Sequence, residues 1–389
     1  MVELNGIYSL GTPAYLLIVD SKNEWHESMV IDKKTSLMTP LEGIKVIDMS
    51  TVLAGPSVAT FLAELGAHVI KIEHPNYGDV TRSWKLPSED ENSSVSAYFS
   101  SINYRKEYKK LNLADPEDRA EFLTSIVKTD ILITNFKKGD DKKFGIEDND
   151  LLALNPRLII GKINGYGTES DRVAYDLILQ AESGFMSMNG THESGPVKMP
   201  VALIDVLAAH HLKEGILLAL YEREKSGSGK SVTVSLYDAA ISSLVNQASN
   251  YLMSDEIPKR IGSLHPNIAP YGELFQTTDG ATITFAIGSN KHFSKLCDVL
   301  QLTELTTDER FIDNQDRVSN RSELFELLND QIKDRSSETL LSELQSLNVP
   351  AGKVKNLKEV FEEKASNDLI REEIIDSVST KRITSIVFK

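Results

Sequence analysis

The chain has 389 residues, with 42 basic against 57 acidic side chains and a formal charge of −15. At roughly 100–200 residues per domain this suggests two domains, and the acidic balance argues against a surface that tracks a nucleic-acid backbone. The single cysteine, Cys297, excludes a disulfide scaffold and a thiolate zinc cluster and points to a reducing, cytoplasmic setting. No run approaches the roughly 20 apolar residues that span a bilayer.

Residues 1–37 read as an N-terminal extension. Its one apolar run, Ala14–Val19, is too short and too poorly flanked for a signal peptide. It reads either as an accessory strand or as part of an extension ahead of a start at Met38. From Leu41 the pattern becomes regular. Ile44–Met49 reads as a buried strand, Ser57 as the cap of a helix ending at Gly66, and His68–Glu73 as a second strand. Strand, crossover helix and strand in this span make a βαβ unit. A helix from Pro116 to Lys128 leads to a strand at Asp130–Thr134, and a helix at Asp148–Leu154 leads to a strand at Arg157–Ile163. Four strands alternating with helices predict an α/β fold, a doubly wound parallel sheet of Rossmann-like type.

After Gly165 the rhythm changes. A helix is expected at Leu177–Met188. A long amphipathic one follows, with Leu207, Leu212, Ile216, Leu217 and Leu220 on its apolar face and a stop at Gly227-Ser228-Gly229. Ser231–Leu236 alternates like a half-buried strand, and Asp238–Leu252 reads as a helix. Beyond Pro258 a strand at Ala281–Ala286 and helices at Lys291–Leu300, Ser322–Lys333 and Ser337–Leu347 give an α+β pattern, closed by a last helix and a terminal strand at Ile383–Phe388. The expected organisation is a large domain at 38–235 completed by 348–389, with a linker helix and a second, smaller α+β domain at 236–347.

The loop Val52–Ser57 joins a strand to a helix N-terminus, where unpaired N–H groups favour an anion. It holds one glycine rather than a dinucleotide fingerprint, so an ordinary βα turn and a nucleotide-like ligand site both remain open, with Glu73 at the position of a ribose-binding acid. Asp205 follows the apolar Val201–Ile204 and precedes the long helix. The residues alone favour an N-cap, and a cap position also keeps a carboxylate ionised beside backbone donors, as a carboxylate nucleophile needs. His210 and His211 are adjacent and diverge by about 100° on a helix. His192, His265 and His292 are scattered, and no zinc-ligand spacing appears, so no metal site is expected. Ser57, Ser183 and Ser187 lie in no nucleophile-elbow context.

Several stretches together resemble family III CoA-transferases, the group containing formyl-CoA transferase, carnitine CoA-transferase and succinate–hydroxymethylglutarate CoA-transferase. They are Leu41–Asp48, Val52–Pro56, Val69–Glu73, Asn135-Phe136, Gly165–Gly167, Tyr175–Ala181, Arg223–Gly229, His265–Tyr271 and Val349–Val354, in order and correctly spaced. The resemblance implies a nucleophilic aspartate at Asp205 and a coenzyme A thioester as substrate rather than a permanently bound cofactor. It implies a small carboxylic acid as the other partner, without nucleic acid or membrane, and an interlocked homodimer. It also implies that Val52, Ala54, His74, Leu111, Asn135, Phe136, Lys143 and Tyr175 lie along the CoA path. Lys143 would be a phosphate partner or else a solvated surface lysine. Leu53, Tyr98 and Asp176 would stand near the substrate. His74 departs from an arginine common in relatives, and Leu53 from the glutamine of formyl-CoA transferase, which argues against formate and oxalate.

Two rivals come with this reading. The α-methylacyl-CoA racemases belong to the same superfamily, but their catalytic histidine corresponds to Tyr175, and a tyrosine titrating near pH 10 is a poor base at neutral pH. A CoA- or nucleotide-binding module without turnover would have no need of Asp205.

Overall fold

The computed structural model describes residues 39–388 together with the backbone of two earlier strands, β1 (Tyr15–Val19) and β2 (Trp25–Met29), which pair antiparallel. The accessory-strand reading of Ala14–Val19 coincides with β1; the rest of the extension lies outside the described residues.

The main sheet has six parallel strands: β3 (Lys45–Asp48), β4 (His68–Glu73), β5 (Lys106–Lys110), β6 (Ile131–Thr134), β7 (Ile159–Asn164) and β8 (Ser231–Ser235). Their order is β5-β4-β3-β6-β7-β8. The chain starts in the middle, winds outward to β5, returns to β6 and winds outward the other way. The β3/β6 boundary is therefore the topological switch point, where ligands of such sheets bind beyond the carboxyl ends of the strands.

Residues on each strand alternate between two apolar layers, as a period of two requires. Val46, Val69, Ile131, Ile133, Ile159 and Ile163 face one core with helices α1 (Ala54–Glu64) and, later in the chain, Leu203–Ser226. Ile47, Ile72, Leu132 and Ile160 face the other, with helices at Pro116–Ile126 and Asp148–Leu154.

The remaining helices of this half fall into place as α2 (Ala97–Ile102), α3 (Pro116–Ile126), α4 (Asp140–Phe144), α5 (Asp148–Leu154), α6 (Asp176–Glu182), α7 (Phe185–Met188), α8 (Leu203–Ser226), α9 (Leu236–Ser242) and α10 (Val245–Ser254). A smaller antiparallel sheet follows, in the order β11-β10-β9, from β9 (Tyr271–Gln276), β10 (Thr282–Ala286) and β11 (Ala351–Lys353). Helices at Asn290–Leu300, Arg321–Ile332 and Ser337–Ser346 pack on it around a separate core that includes Phe275, Phe293, Leu328 and Leu344. The C-terminal hairpin, β12 (Ile370–Ile375) and β13 (Val378–Ile383), returns to the large sheet's helices: Arg382 Nη1 meets Glu64 Oε1 at 2.6 Å, and Ile375 packs with Val95 and Phe99. Among the described residues no helix is long and apolar enough to cross a membrane.

Six expectations are corrected. The sheet has six strands rather than four, because Lys106–Lys110 and Ser231–Ser235 both join it. α1 begins at Ala54 without a side-chain cap, and the Ser57 hydroxyl donates back to the Leu53 carbonyl at 2.7 Å instead of capping. The helix expected at Leu177–Met188 is broken by Gly184 in the left-handed region (φ +93°), and Asp238–Leu252 is split at Val245 (φ +44°). The terminal strand is β13, ending at Ile383, because its partner β12 stops there; Thr384–Phe388 is not strand. On α8, Leu217 and Leu218 face outward while Ala208, Ala209 and Ala219 are buried, since small residues let α8 approach its neighbours.

Candidate active site

β3 delivers the chain into the loop Met49–Leu53, and β6 into Asn135. The Asn135 side chain closes the gap between the two arms: its Oδ1 accepts from the Thr51 N–H at 3.0 Å and its Nδ2 donates to the Thr51 carbonyl at 2.8 Å. The next residue, Val52, sits at φ +72°, a left-handed conformation unfavourable for a β-branched residue and tolerated only where the surroundings enforce it. Gly55 is enforced by contact, because a Cβ there would stand 2.3 Å from the Ser50 side chain.

Beneath this loop lies a buried charge network. Asp48 accepts from Ser50 and from Lys106 Nζ at 2.8 Å, and Lys106 also donates to the carbonyls of Pro56 and Ile102. Lys71 donates to the Ser50 carbonyl at 2.8 Å and lies 3.0 Å from Asp79. Burial opposes ionisation of Asp48, but the two lysines outweigh it and hold the carboxyl below its ordinary range. Burial pulls the Lys106 ammonium down to about 8 against the attraction of Asp48.

Asp205 is the third residue of α8 and is 7% exposed. It is not the helix cap. That role falls to Asp176, whose Oδ1 accepts from the Ile204 N–H at 2.8 Å across the gap between α6 and α8. Among the described residues the Asp205 carboxylate has no hydrogen-bond partner. Burial, with the charge of Asp176 added, pushes its carboxyl up to about 7. Tyr98 on α2 packs edge-on against Trp84, with ring centroids 5.2 Å apart. Burial and the carboxylates of Asp205, Asp176 and Asp79 push its phenol up to about 12, so it stays a hydrogen-bond donor at neutral pH.

Asp205 stands at the meeting of two cavities. One, about 890 Å³ of open space, runs from Val52, Leu53 and Ala54 past Asn135 and Phe136 to Lys137 and Lys138. It continues into a third cavity, walled by Phe136, Lys137, Lys138, Ile163 and Asn164 on the shared side. The other cavity at Asp205 is bounded by Leu53, Trp84, Tyr98, Tyr175, Asp176 and Val201. Val52, Leu53, Tyr175 and Asp205 belong to both walls.

The structure thus brings together Val52, Leu53, Ala54, Tyr98, Asn135, Phe136, Tyr175, Asp176 and Asp205. It does not bring in the other three. Leu111 is 5% exposed in the sheet core, because the β-strand before it turns its side chain inward. Lys143 is on the outer side of the short α4, over the Phe144 ring at 5.5 Å. His74 stacks on Tyr77 with centroids 4.5 Å apart and lines none of these cavities. The lysines in the wall of the 890 Å³ cavity are Lys137 and Lys138 instead. Lys138 donates to the Glu169 carbonyl at 2.8 Å, whereas Lys137 has no ion-pair partner among the described residues. Their place directly after the Asn135-Phe136 pair was the available signal in the sequence.

Residues 41–386 match CoA-transferase family III. The chain is 36% identical over 328 residues to the succinate–glutarate CoA-transferase of Agrobacterium fabrum, covering 83% of this chain and 82% of that protein. It is 36% identical to the acetyl-CoA:oxalate CoA-transferase of Acetobacter aceti over 82% of each chain. The crystal structure of a CAIB/BAIF family protein from Brucella suis superposes with a TM-score of 0.78 at 35% identity, covering 90% of this chain and 93% of that one. The chain therefore belongs to CoA-transferase family III and is a CoA-transferase acting on CoA thioesters.

Proposed function

We propose that the protein moves CoA between two small dicarboxylic acids, with Asp205 as the covalent carrier. The observation that carries this reading is the position of Asp205, buried, without a hydrogen-bond partner among the described residues, and shared by a lysine-lined cavity and a second, acid-side cavity. The dicarboxylate class is supported by the relatives, whose names specify succinate, glutarate and oxalate. The oxalate relative also weakens the argument against oxalate drawn from Leu53.

The steps balance without ATP. The Asp205 carboxylate attacks the thioester carbonyl, the C–S bond breaks, and an acyl–aspartyl anhydride and CoA thiolate result. The thiolate then attacks the aspartyl carbonyl, releasing the donor acid and leaving an Asp205–CoA thioester. The acceptor carboxylate attacks that thioester, forming a second anhydride and freeing the thiolate again. The thiolate finally takes the acceptor's acyl carbon and restores the Asp205 carboxylate. Covalent catalysis divides one difficult exchange into steps between carbonyls of similar activation.

The chain's own groups suit these steps. α1 opens without a side-chain cap beside the loop residues that share a cavity wall with Asp205, so its free N–H groups suit an oxyanion, and the protonated Tyr98 in the wall of the second cavity is a further donor. Lys137 and Lys138 suit the phosphates of CoA. Burial of Asp205 limits the access of water to the anhydride and thioester.

The decisive experiment is trapping. Incubation with succinyl-CoA followed by borohydride is expected to convert residue 205 to homoserine, read as a mass change in the peptide spanning α8. Asp205→Ala is expected to keep CoA binding and lose transfer; an unchanged transfer rate in that variant removes the mechanism. Exchange of an α-deuteron with solvent in the absence of any acceptor acid would favour the racemase reading instead.

A further inference from the structure

The acid-side cavity contains a cation that the covalent chemistry leaves unused. Lys198 lines it together with Leu53, Trp84, Val201, Asp176 and Asp205, and no other cation among the described residues does so. Its Nζ donates only to the carbonyls of Met199 at 3.1 Å and Pro200 at 3.4 Å, and no carboxylate lies within ion-pair distance among the described residues. A lysine held to two main-chain oxygens and to no anion, in a cavity whose remaining charges are negative, is available to a ligand carboxylate.

The wall that carries it is built rather than loose. Met199 N–H donates to Gln180 Oε1 at 2.8 Å, Gln180 Nε2 donates to Asp176 Oδ2 at 2.6 Å, and Asp176 Oδ1 accepts from Ile204 N–H at 2.8 Å. Gln180 is fully buried. One side-chain relay on α6 therefore fixes both ends of the segment between Lys198 and Asp205.

We infer that Lys198 is a specificity-determining residue that receives the far carboxylate of a dicarboxylic acyl group whose near carbonyl lies at Asp205. This rests on the reading of Asp205 as the group that takes the acyl chain. A dianionic acid entering beside Asp176 and Asp205 meets like charges, and Lys198 offsets that repulsion at one end only, which orients the acid. A monocarboxylic acid of similar length offers Lys198 nothing and leaves its tail against Leu53, Trp84 and Val201. Donor acyl group and acceptor acid occupy this cavity in turn, so one lysine serves both halves of the exchange.

The test uses the full-length enzyme, with succinyl-CoA as donor against glutarate and against butyrate. Wild type is expected to prefer glutarate. Lys198→Met keeps the apolar stem and removes the charge. It is expected to lower kcat/KM for glutarate about tenfold, mainly through KM, while butyrate stays within about twofold, the size expected for one charge-assisted hydrogen bond in a partly open site. Lys198→Arg is expected to recover most of the glutarate rate. An equal change for both acids, no change for either, or a wild type that prefers butyrate overturns the inference. Failure of the Asp205 reading looks different: there Asp205→Ala retains transfer to both acids, whereas Lys198 is judged only on the ratio between them.

Discussion

The Asp205 carboxyl titrates where most enzymes work, and that has two measurable consequences. In the proposed mechanism only its ionised form attacks a thioester, so the rate of acyl exchange is expected to rise with pH through about 7 and then level off, read from initial rates at saturating donor. The fold favours its protonated form, with a folded-state pKa above the ordinary 3.8. Its contribution to stability is complete below pH 4 and disappears as the pH rises through 7. Asp205→Asn is therefore expected to stabilise the protein on the order of 2–4 kcal/mol at pH 8 and to change little near pH 4, measured by urea unfolding. At the other end of the site, Lys137→Ala is expected to raise KM for the CoA thioester by about tenfold with kcat little changed, an effect that shrinks in high salt. The sequence alone left Asp205 between cap and nucleophile, and resemblance to a family favoured the second. What neither showed was its lack of a hydrogen-bond partner among the described residues, because the capping role is filled by Asp176 from a different helix. Leu111 and Lys143 fall outside the cavity walls for a related reason: motif position fixes where a residue falls along the chain, not the direction in which a strand end or a short helix turns it.

At the level of elements, β5 is the instructive case. Lys106-Glu107-Tyr108-Lys109-Lys110 has neither an apolar run nor a clean alternation, so hydrophobic patterning passes over it. It is a strand because its first lysine is buried and satisfied. The Lys106 ammonium ties β3, α1 and α2 together through Asp48, Pro56 and Ile102. Removing one partner of a buried pair strands the other, and Lys106→Met is expected to cost about 3–5 kcal/mol in urea unfolding, with part regained on adding Asp48→Asn. The strands β3, β4, β6 and β7 were legible because both of their faces are covered and their sequences are apolar throughout. The two helix breaks were not legible, since each rests on one residue in the left-handed region, Gly184 or Val245, rather than on a run of breaker residues.

For the whole molecule, composition and the order of elements led to the doubly wound sheet, and the strand count was short only at its two edges. The return of the C-terminal hairpin onto Glu64 and Phe99 was hidden from local patterning, because its contacts join residues more than 250 positions apart. The assembly expected from the family resemblance is a homodimer. The outer side of α10 and the segment after it are consistent with a covered surface, since Leu252, Met253 and Ile257 are 77%, 89% and 71% exposed in the single chain. Light scattering is expected to give about twice the 43.2 kDa chain mass, and the double substitution Met253→Asp, Ile257→Asp to shift that toward one.

The relay from Met199 through Gln180 and Asp176 to Ile204 has a final consequence. A floor riveted at both ends cannot stretch, so the gap between ammonium and carboxylate acts as a gauge. Across a homologous series of diacids, turnover should peak at one chain length and fall on both sides, whereas a floor free to flex would accept the longer members almost equally.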